Sequence, residues 1–302
     1  MAVKLGLKLP TNWGVMDPVV LSDMAVKAEE MGFASIWASQ HLVNAGYILE
    51  RLGNTPYYHP MAMLAFIAAR TSKVQLGTSI VNLPFHHPFE IAKFCATLDH
   101  LSRGRVLFGV GVGGNEAEFE ALNIPWRRRG AISDEMLDVI LKLWKPGPAD
   151  HQGKIWNFSN VSTSPKPYNG SHLPIIIGGM SDAALRRVAR VGDGWIPTLI
   201  GVEQFREMLG RIRQYTTEAG RDPDALEIIM RFNVILDGQE PAPNEAAASV
   251  HVHDVERMVQ IVHDFSDAGA NHFVYALNTN DPKVVESTID MIASRILPTT
   301  HA

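Results

Sequence analysis

The stretch RGRVLFGVGVGG, residues 103–114, decides the fold. Its last six residues, Gly109 to Gly114, read G-x-G-x-x-G, the nominal fingerprint of a dinucleotide-binding loop. That fingerprint needs a context. Its strand normally opens the domain and runs straight into a helix, and an acid at the end of a second strand follows about 20 residues on. Here the acid at that distance is Asp134, in a segment where Ile132, Met136, Ile140 and Leu143 recur at helical spacing. Three strand-like runs also precede the glycines. The glycines therefore read as the end of a fourth strand in a longer series.

Upstream, the runs are VKLGLKL (residues 3–9), FASIWAS (33–39) and VQLGTSIV (74–81), each followed by a segment of helical period. Asp17-Pro18 and Pro88 open the first and third of these helices, and the second lies near residues 60–70 after a loop of about 20 residues. Downstream, an excursion rich in Pro, Gly, Ser and Asn covers residues 146–173. Then come PIIIGG (174–179), GWIPT (194–198), LEIIMRFNVIL (226–236) and NHFVYAL (271–277), again alternating with helical segments. The last helix opens at Asp281-Pro282. Eight strand–helix units in one chain predict a (β/α)8 TIM barrel. No linker divides it, so residues 1–302 read as one domain with an insertion around residues 146–173.

The composition, 46% apolar and 20% charged with a net charge of −5, is that of a globular enzyme. No long basic run points to nucleic acid. The N-terminus lacks a signal-peptide core, and no apolar run reaches the roughly 18 residues of a membrane span. The single cysteine, Cys95, excludes an internal disulfide and falls on the apolar face of the third helix. These features predict a cytoplasmic protein with neither a membrane nor a nucleic acid as partner.

In a barrel the carboxyl ends of the strands carry the chemistry. Gly111, Gly113 and Gly114 end strand four, where glycine lets a flat ring or a phosphate chain approach the backbone. Gly178, Gly179, Met180 and Ser181 join strand five to a helix start, which favours anions; Ser181 is also a good cap in its own right. His41 follows strand two and can exchange a proton near neutral pH. Ser79 and Ile80 end strand three with residues suited to line a flat ring, and Asn82 follows within reach of one. Thr11, Asn12, Thr198 and Asn233 are further pocket candidates. Arg127-Arg128-Arg129 reads as a solvated helix start. His86-His87 and His251-x-His253 lack a carboxylate or cysteine at metal-ligand spacing, so no metal is expected.

LGTSIVNLPFHHPFEIAKFCATLDHLSRGRVLFGVGVGGNEAEFEALNIPWRRRGAISDEMLDVILKLW, residues 76–144, resembles the luciferase-like monooxygenase superfamily, most of all its branch dependent on the deazaflavin coenzyme F-420. GFASIWASQH (32–41) and IIIGGMSDAALRRVARVGDGW (175–195) share the resemblance; residues 237–253 match nothing. It implies a TIM-like barrel with an insertion, a homodimer, and F-420 or FMN bound at the strand ends. It further implies His41 beside the reactive ring, a non-prolyl cis peptide at Ser79-Ile80 against that ring, and the cofactor phosphate at Gly178–Ser181. Gln40 stands where close relatives carry an acid, so no carboxylate adjoins His41 in the sequence. The activity implied is F-420-dependent hydride transfer to or from a small organic substrate. The rivals are an FMN-dependent monooxygenase served by a partner reductase, and a flavin-binding barrel without catalysis.

Overall fold

Alternation along each strand sends one set of side chains inward and the other out to the helices, and that pattern closes the sheet on itself. A computed structural model describes residues 3–236, 240 and 246–300. In chain order it runs β1 (Lys4–Lys8), α1 (Pro18–Glu30), β2 (Ser35–Ala38), α2 (Tyr47–Leu52), α3 (Pro60–Arg70), β3 (Gln75–Thr78), β4 (Val81–Asn82) and α4 (Pro88–Ser102). Next come β5 (Val106–Gly111), α5 (Glu116–Ala121), α6 (Arg129–Trp144), β6 (Ala149–Gln152), β7 (Asn157–Val161), β8 (Ile175–Gly178) and α7 (Asp182–Val191). The chain finishes with β9 (Gly194–Ile196), α8 (Val202–Glu218), β10 (Glu227–Ile235), β11 (Ser249–His251), α9 (Val255–Asp267), β12 (His272–Leu277) and α10 (Pro282–Arg295).

The parallel strands pair in the order β1-β2-β3-β5-β8-β9-β10-β12 and return to β1, a closed eight-stranded barrel. The expected TIM barrel is the fold. The reading of Asp134 also holds: it sits inside α6 and pairs with Arg187. β4 continues the line of β3 after a cis Ser79–Ile80 peptide, and β11 adds three residues beside the upper end of β10. The barrel interior is filled by Trp37, Leu107, Ile176, Ile196, Ile229 and Val274, with Ile80 above them. Trp37 fits because β3 passes it as glycine: a Cβ on Gly77 would lie 2.2 Å from the Trp37 ring.

Caps and prolines set the helix starts. Asp17, His87, Ser181, Asp254 and Asp281 each accept a hydrogen bond from a first-turn N–H, and Pro18, Pro60, Pro88 and Pro282 stand in first turns. The 146–173 excursion is more ordered than its composition predicts. β6 and β7 form an antiparallel hairpin whose turn is clamped by the Glu135 carboxylate, which accepts the N–H groups of Lys154, Ile155 and Trp156. Of the unmatched stretch 237–253, residues 237–239 and 241–245 lie outside the described residues. Among the described residues no helix is long and apolar enough to cross a membrane, and no cluster of acidic, His or Cys side chains could hold a metal.

Candidate active site

A cavity of about 490 Å³ opens at the carboxyl ends of the barrel strands, within the roughly 300–1,000 Å³ common for cofactor and substrate sites. One wall is made of small or flat elements: Ser79 and Ile80 at the cis peptide, Gly113 and Gly114 after β5, and Gly178 and Gly179 at the end of β8. A Cβ on Gly178 would come within 3.0 Å of Ile80 Cγ2, whereas Gly114 faces open space. Backbone, rather than side chains, therefore forms most of this surface. The wall rests on Asn82, whose N–H donates to Gln40 Oε1 at 2.8 Å. Gln40 in turn meets His86 Nε2 at 2.8 Å. Burial, then the neighbouring His59, pushes the His86 pKa down to about 4. With its Oε1 taken by the Asn82 N–H, Gln40 turns its NH2 toward His86, whose neutral ring accepts at Nε2 near neutral pH.

His41 stands at the rim between β2 and α2. Its Nδ1 lies 2.7 Å from Glu118 Oε2, and the Glu118 side chain is fully buried. The other oxygen of Glu118 accepts the Leu42 N–H at 2.6 Å, and the Val43 N–H lies 3.4 Å away. Asn115 Nδ2 donates to Ala45 O at 2.9 Å, so the loops after β2 and β5 are tied at two points. A carboxylate accepting two backbone donors takes its third hydrogen bond from Nδ1–H, so the Nε2 lone pair points to the pocket rim, where Tyr47 is its neighbour. Tyr47 OH lies 3.3 Å from that Nε2. Tyr57 packs edge-on to the imidazole and donates to Ser39 Oγ, and burial raises the Tyr57 phenol well above its usual range. The carboxylate missing beside His41 in the sequence is therefore supplied from 77 residues away, by α5.

The structure brings together His41, Ser79, Ile80, Asn82, Gly113, Gly114, Gly178 and Gly179, with Asn12, Thr198 and Asn233 among the other lining residues. It separates three of the expected cofactor contacts from the cavity surface. Gly111 lies behind the wall, and the space its Cβ would need is taken by Ile80 Cδ1, at 1.9 Å. Met180 packs against the hydrophobic core, and Ser181 spends its hydroxyl on capping α7 through the Ala184 N–H. Gly113 has φ +84, which makes it a turn residue as well as a lining one. Thr11 is buried outside the lining, and Arg129 stacks on Trp126 away from it. His87 caps α4.

The family model for luciferase-like monooxygenases matches residues 11–286. The chain belongs to the luciferase-like monooxygenase family. An uncharacterized protein of Mycobacterium tuberculosis is 34% identical over 189 residues, covering 62% of this luciferase-like chain and 64% of that protein. An F-420-dependent glucose-6-phosphate dehydrogenase of Nakamurella multipartita is 32% identical over 226 residues, covering 73% of this chain and 64% of the dehydrogenase. The matches thus span just under two thirds of each relative's length. Among solved structures, an F-420-dependent secondary alcohol dehydrogenase in complex with an F-420–acetone adduct superposes with a TM-score of 0.85 over the whole of both chains at 19% identity, a likeness of fold.

Several lining residues of this luciferase-like barrel escaped the sequence reading: Lys8, Trp13, Tyr47, Arg51, Tyr57, Arg231 and Asn278. For two of them a signal existed. In VKLGLKL and LEIIMRFNVIL, Lys8 and Arg231 alternate with apolar neighbours, so they share the inward face of β1 and β10 near the barrel mouth. Glu118 carried no comparable signal, because α5 has only six residues and shows no helical period.

Proposed function

We propose that this protein is an oxidoreductase that uses coenzyme F-420 to transfer hydride to or from a small organic substrate, with His41 carrying the accompanying proton. One observation carries this reading: a buried carboxylate holds a histidine, Nε2 outward, beside a cavity wall made largely of backbone. Such a wall fits a planar tricycle, because a side chain at Gly114 would project into open space and one at Gly178 would crowd Ile80 on the same wall, while Gly113 and Gly179 take positive φ values at the turns beside it. Gly178 and Gly179 would hold the phosphate, and Asn82 would address the ring edge. When bound, a deazaflavin supplies a two-electron hydride carrier. The chain's own residues do the rest. In the oxidative direction, as the substrate C–H hydride leaves, His41 Nε2 takes the hydroxyl proton and a carbonyl results. In the reductive direction the same nitrogen returns the proton. Glu118 keeps the imidazole oriented and balances its charge while it is protonated. Tyr57 packs edge-on against the imidazole. Relatives named as F-420-dependent dehydrogenases support the choice of cofactor.

Fluorescence titration of the purified protein with F-420 and separately with FMN tests this. Submicromolar F-420 binding with FMN far weaker is expected. Preference for FMN moves the reading to the two-component monooxygenase. Binding of neither removes the redox function. His41→Ala should retain F-420 affinity and lose about 10²–10⁴-fold in turnover; unchanged turnover would leave a carrier of the cofactor instead.

A further inference from the structure

Opposite the small-residue wall the cavity changes character. Lys8 ends β1, Arg51 lies on α2, and both line the mouth. Lys8 is 4% exposed and donates to Asn12 Oδ1 at 2.9 Å. Arg51 donates to the Asn12 carbonyl at 3.2 Å and lies over the Trp13 ring, 4.7 Å from its centroid. Trp13 Nε1–H is buried without a partner. Arg231 on β10 adds a third positive charge and has contacts of its own. Among the described lining residues there is no carboxylate. Lys8 and Arg51 use one donor each on Asn12, so several of their N–H groups have no acceptor among the described residues. Burial, then repulsion from Arg231 and Arg51, lowers the Lys8 pKa well below its usual value. A buried ammonium set among like charges is costly, and an anion entering from the cavity removes that cost.

From this we infer that Lys8, Arg51 and Asn12 form an oxyanion subsite, which selects a substrate bearing a carboxylate or phosphate group. The subsite builds on the hydride-transfer reading. In the barrel order β1 stands diametrically across from β8, so the subsite is remote from Gly178 and Gly179, the proposed cofactor phosphate cradle. It adjoins β2, from which His41 extends. A substrate anchored at Lys8 therefore presents its alcohol or carbonyl toward His41. The substrate class is a small hydroxy or oxo compound with a terminal oxyanion.

Binding of simple probes tests the subsite without turnover. Inorganic phosphate, acetate and neutral acetamide are titrated calorimetrically into the protein, with and without saturating F-420. Phosphate and acetate are expected to bind and acetamide not to, with the stronger of the two oxyanions naming the group selected. Lys8→Met and Arg51→Met should each weaken the oxyanion by at least about tenfold while F-420 affinity stays within about twofold. Lys8→Arg, which keeps the charge, should retain binding. As a readout independent of folding in the variants, acylation of Lys8 by acetic anhydride, followed by mass spectrometry, should be slowed by phosphate and not by acetamide. Equal binding of acetamide and acetate would overturn the subsite. So would variants that weaken F-420 instead of the oxyanion, or phosphate that competes with F-420, since either assigns the cations to the cofactor. Failure of F-420 to bind at all, with oxyanion binding intact, would sink the cofactor reading and leave the subsite standing.

Discussion

At the scale of single residues, Glu118 is the most informative side chain. It is buried, accepts backbone N–H groups from the loop after β2, and fixes His41. Glu118→Gln would place an amide NH2 against one of those donors. The variant should lose about 2–3 kcal/mol of stability, the scale of a buried hydrogen bond to a charged group. It should also fall by about 10²-fold or more in turnover, with F-420 affinity preserved. Chemical denaturation, steady-state kinetics and cofactor titration on one preparation separate these effects. A variant that loses stability but keeps full turnover would show that Glu118 only braces the loop. This residue also marks where reading the sequence stops. His41 was visible because it directly follows a strand. Its carboxylate was not, because the contact joins two loops and leaves no periodic trace in either.

At the scale of elements, two glycines in facing roles predict opposite phenotypes. Gly77 on β3 leaves room for the Trp37 ring, and any Cβ there would lie within 2.2–2.5 Å of three ring atoms. Gly77→Ala should overpack the barrel interior and lower stability by roughly 1–3 kcal/mol or more. Gly178 ends β8, where an added Cβ would meet Ile80 Cγ2 and Cδ1 at 3.0 and 3.3 Å and the Val110 carbonyl oxygen at an ordinary contact distance of 3.4 Å. Gly178→Ala should therefore unfold near the parent temperature while binding F-420 about tenfold more weakly, because Ile80 must shift into the wall. Thermal unfolding paired with cofactor titration decides it; a large loss of stability in Gly178→Ala would make that glycine a packing residue. The strands and long helices were legible because each outward strand face and inward helix face is apolar over several repeats. α2, α5 and the β6–β7 hairpin were not, being short and held by particular polar clamps such as Glu135.

At the scale of the whole molecule, the barrel must be sealed at its amino end, and it does so with a buried polar chain. Trp37 Nε1 donates to Ser35 Oγ at 2.7 Å, Ser35 Oγ meets His272 Nε2 at 2.7 Å, and His272 Nδ1 meets Glu227 Oε1 at 2.7 Å. Lys4 closes the series on Glu227 at 2.9 Å. A Ser–His–Glu series suggests nucleophilic catalysis, but Ser35 and His272 are fully buried and Trp37 lies between them and the mouth. Joining β1, β2, β10 and β12, the series closes the barrel seam instead. Burial opposes the charge on Glu227, but the His272 hydrogen bond and the Lys4 ammonium outweigh it and hold the carboxyl at about 2, below its ordinary 4.5. Burial also lowers His272 from its ordinary 6.5, against the pull of Glu227. Both shifts act in the same direction. On acidification the unfolded chain takes up a proton at histidine and then at glutamate before the folded protein does, so stability falls with falling pH. The Glu227 contribution is complete above about pH 4.5 and is lost between there and about pH 2. Urea unfolding at pH 7, 5, 4 and 3 should show this decline. Glu227→Gln should start less stable at pH 7 and decline less steeply below pH 4.5, since the variant has no carboxyl at that position to protonate. Parallel pH profiles for the two proteins would mean that acid sensitivity arises elsewhere and that the floor of the barrel is held by packing alone.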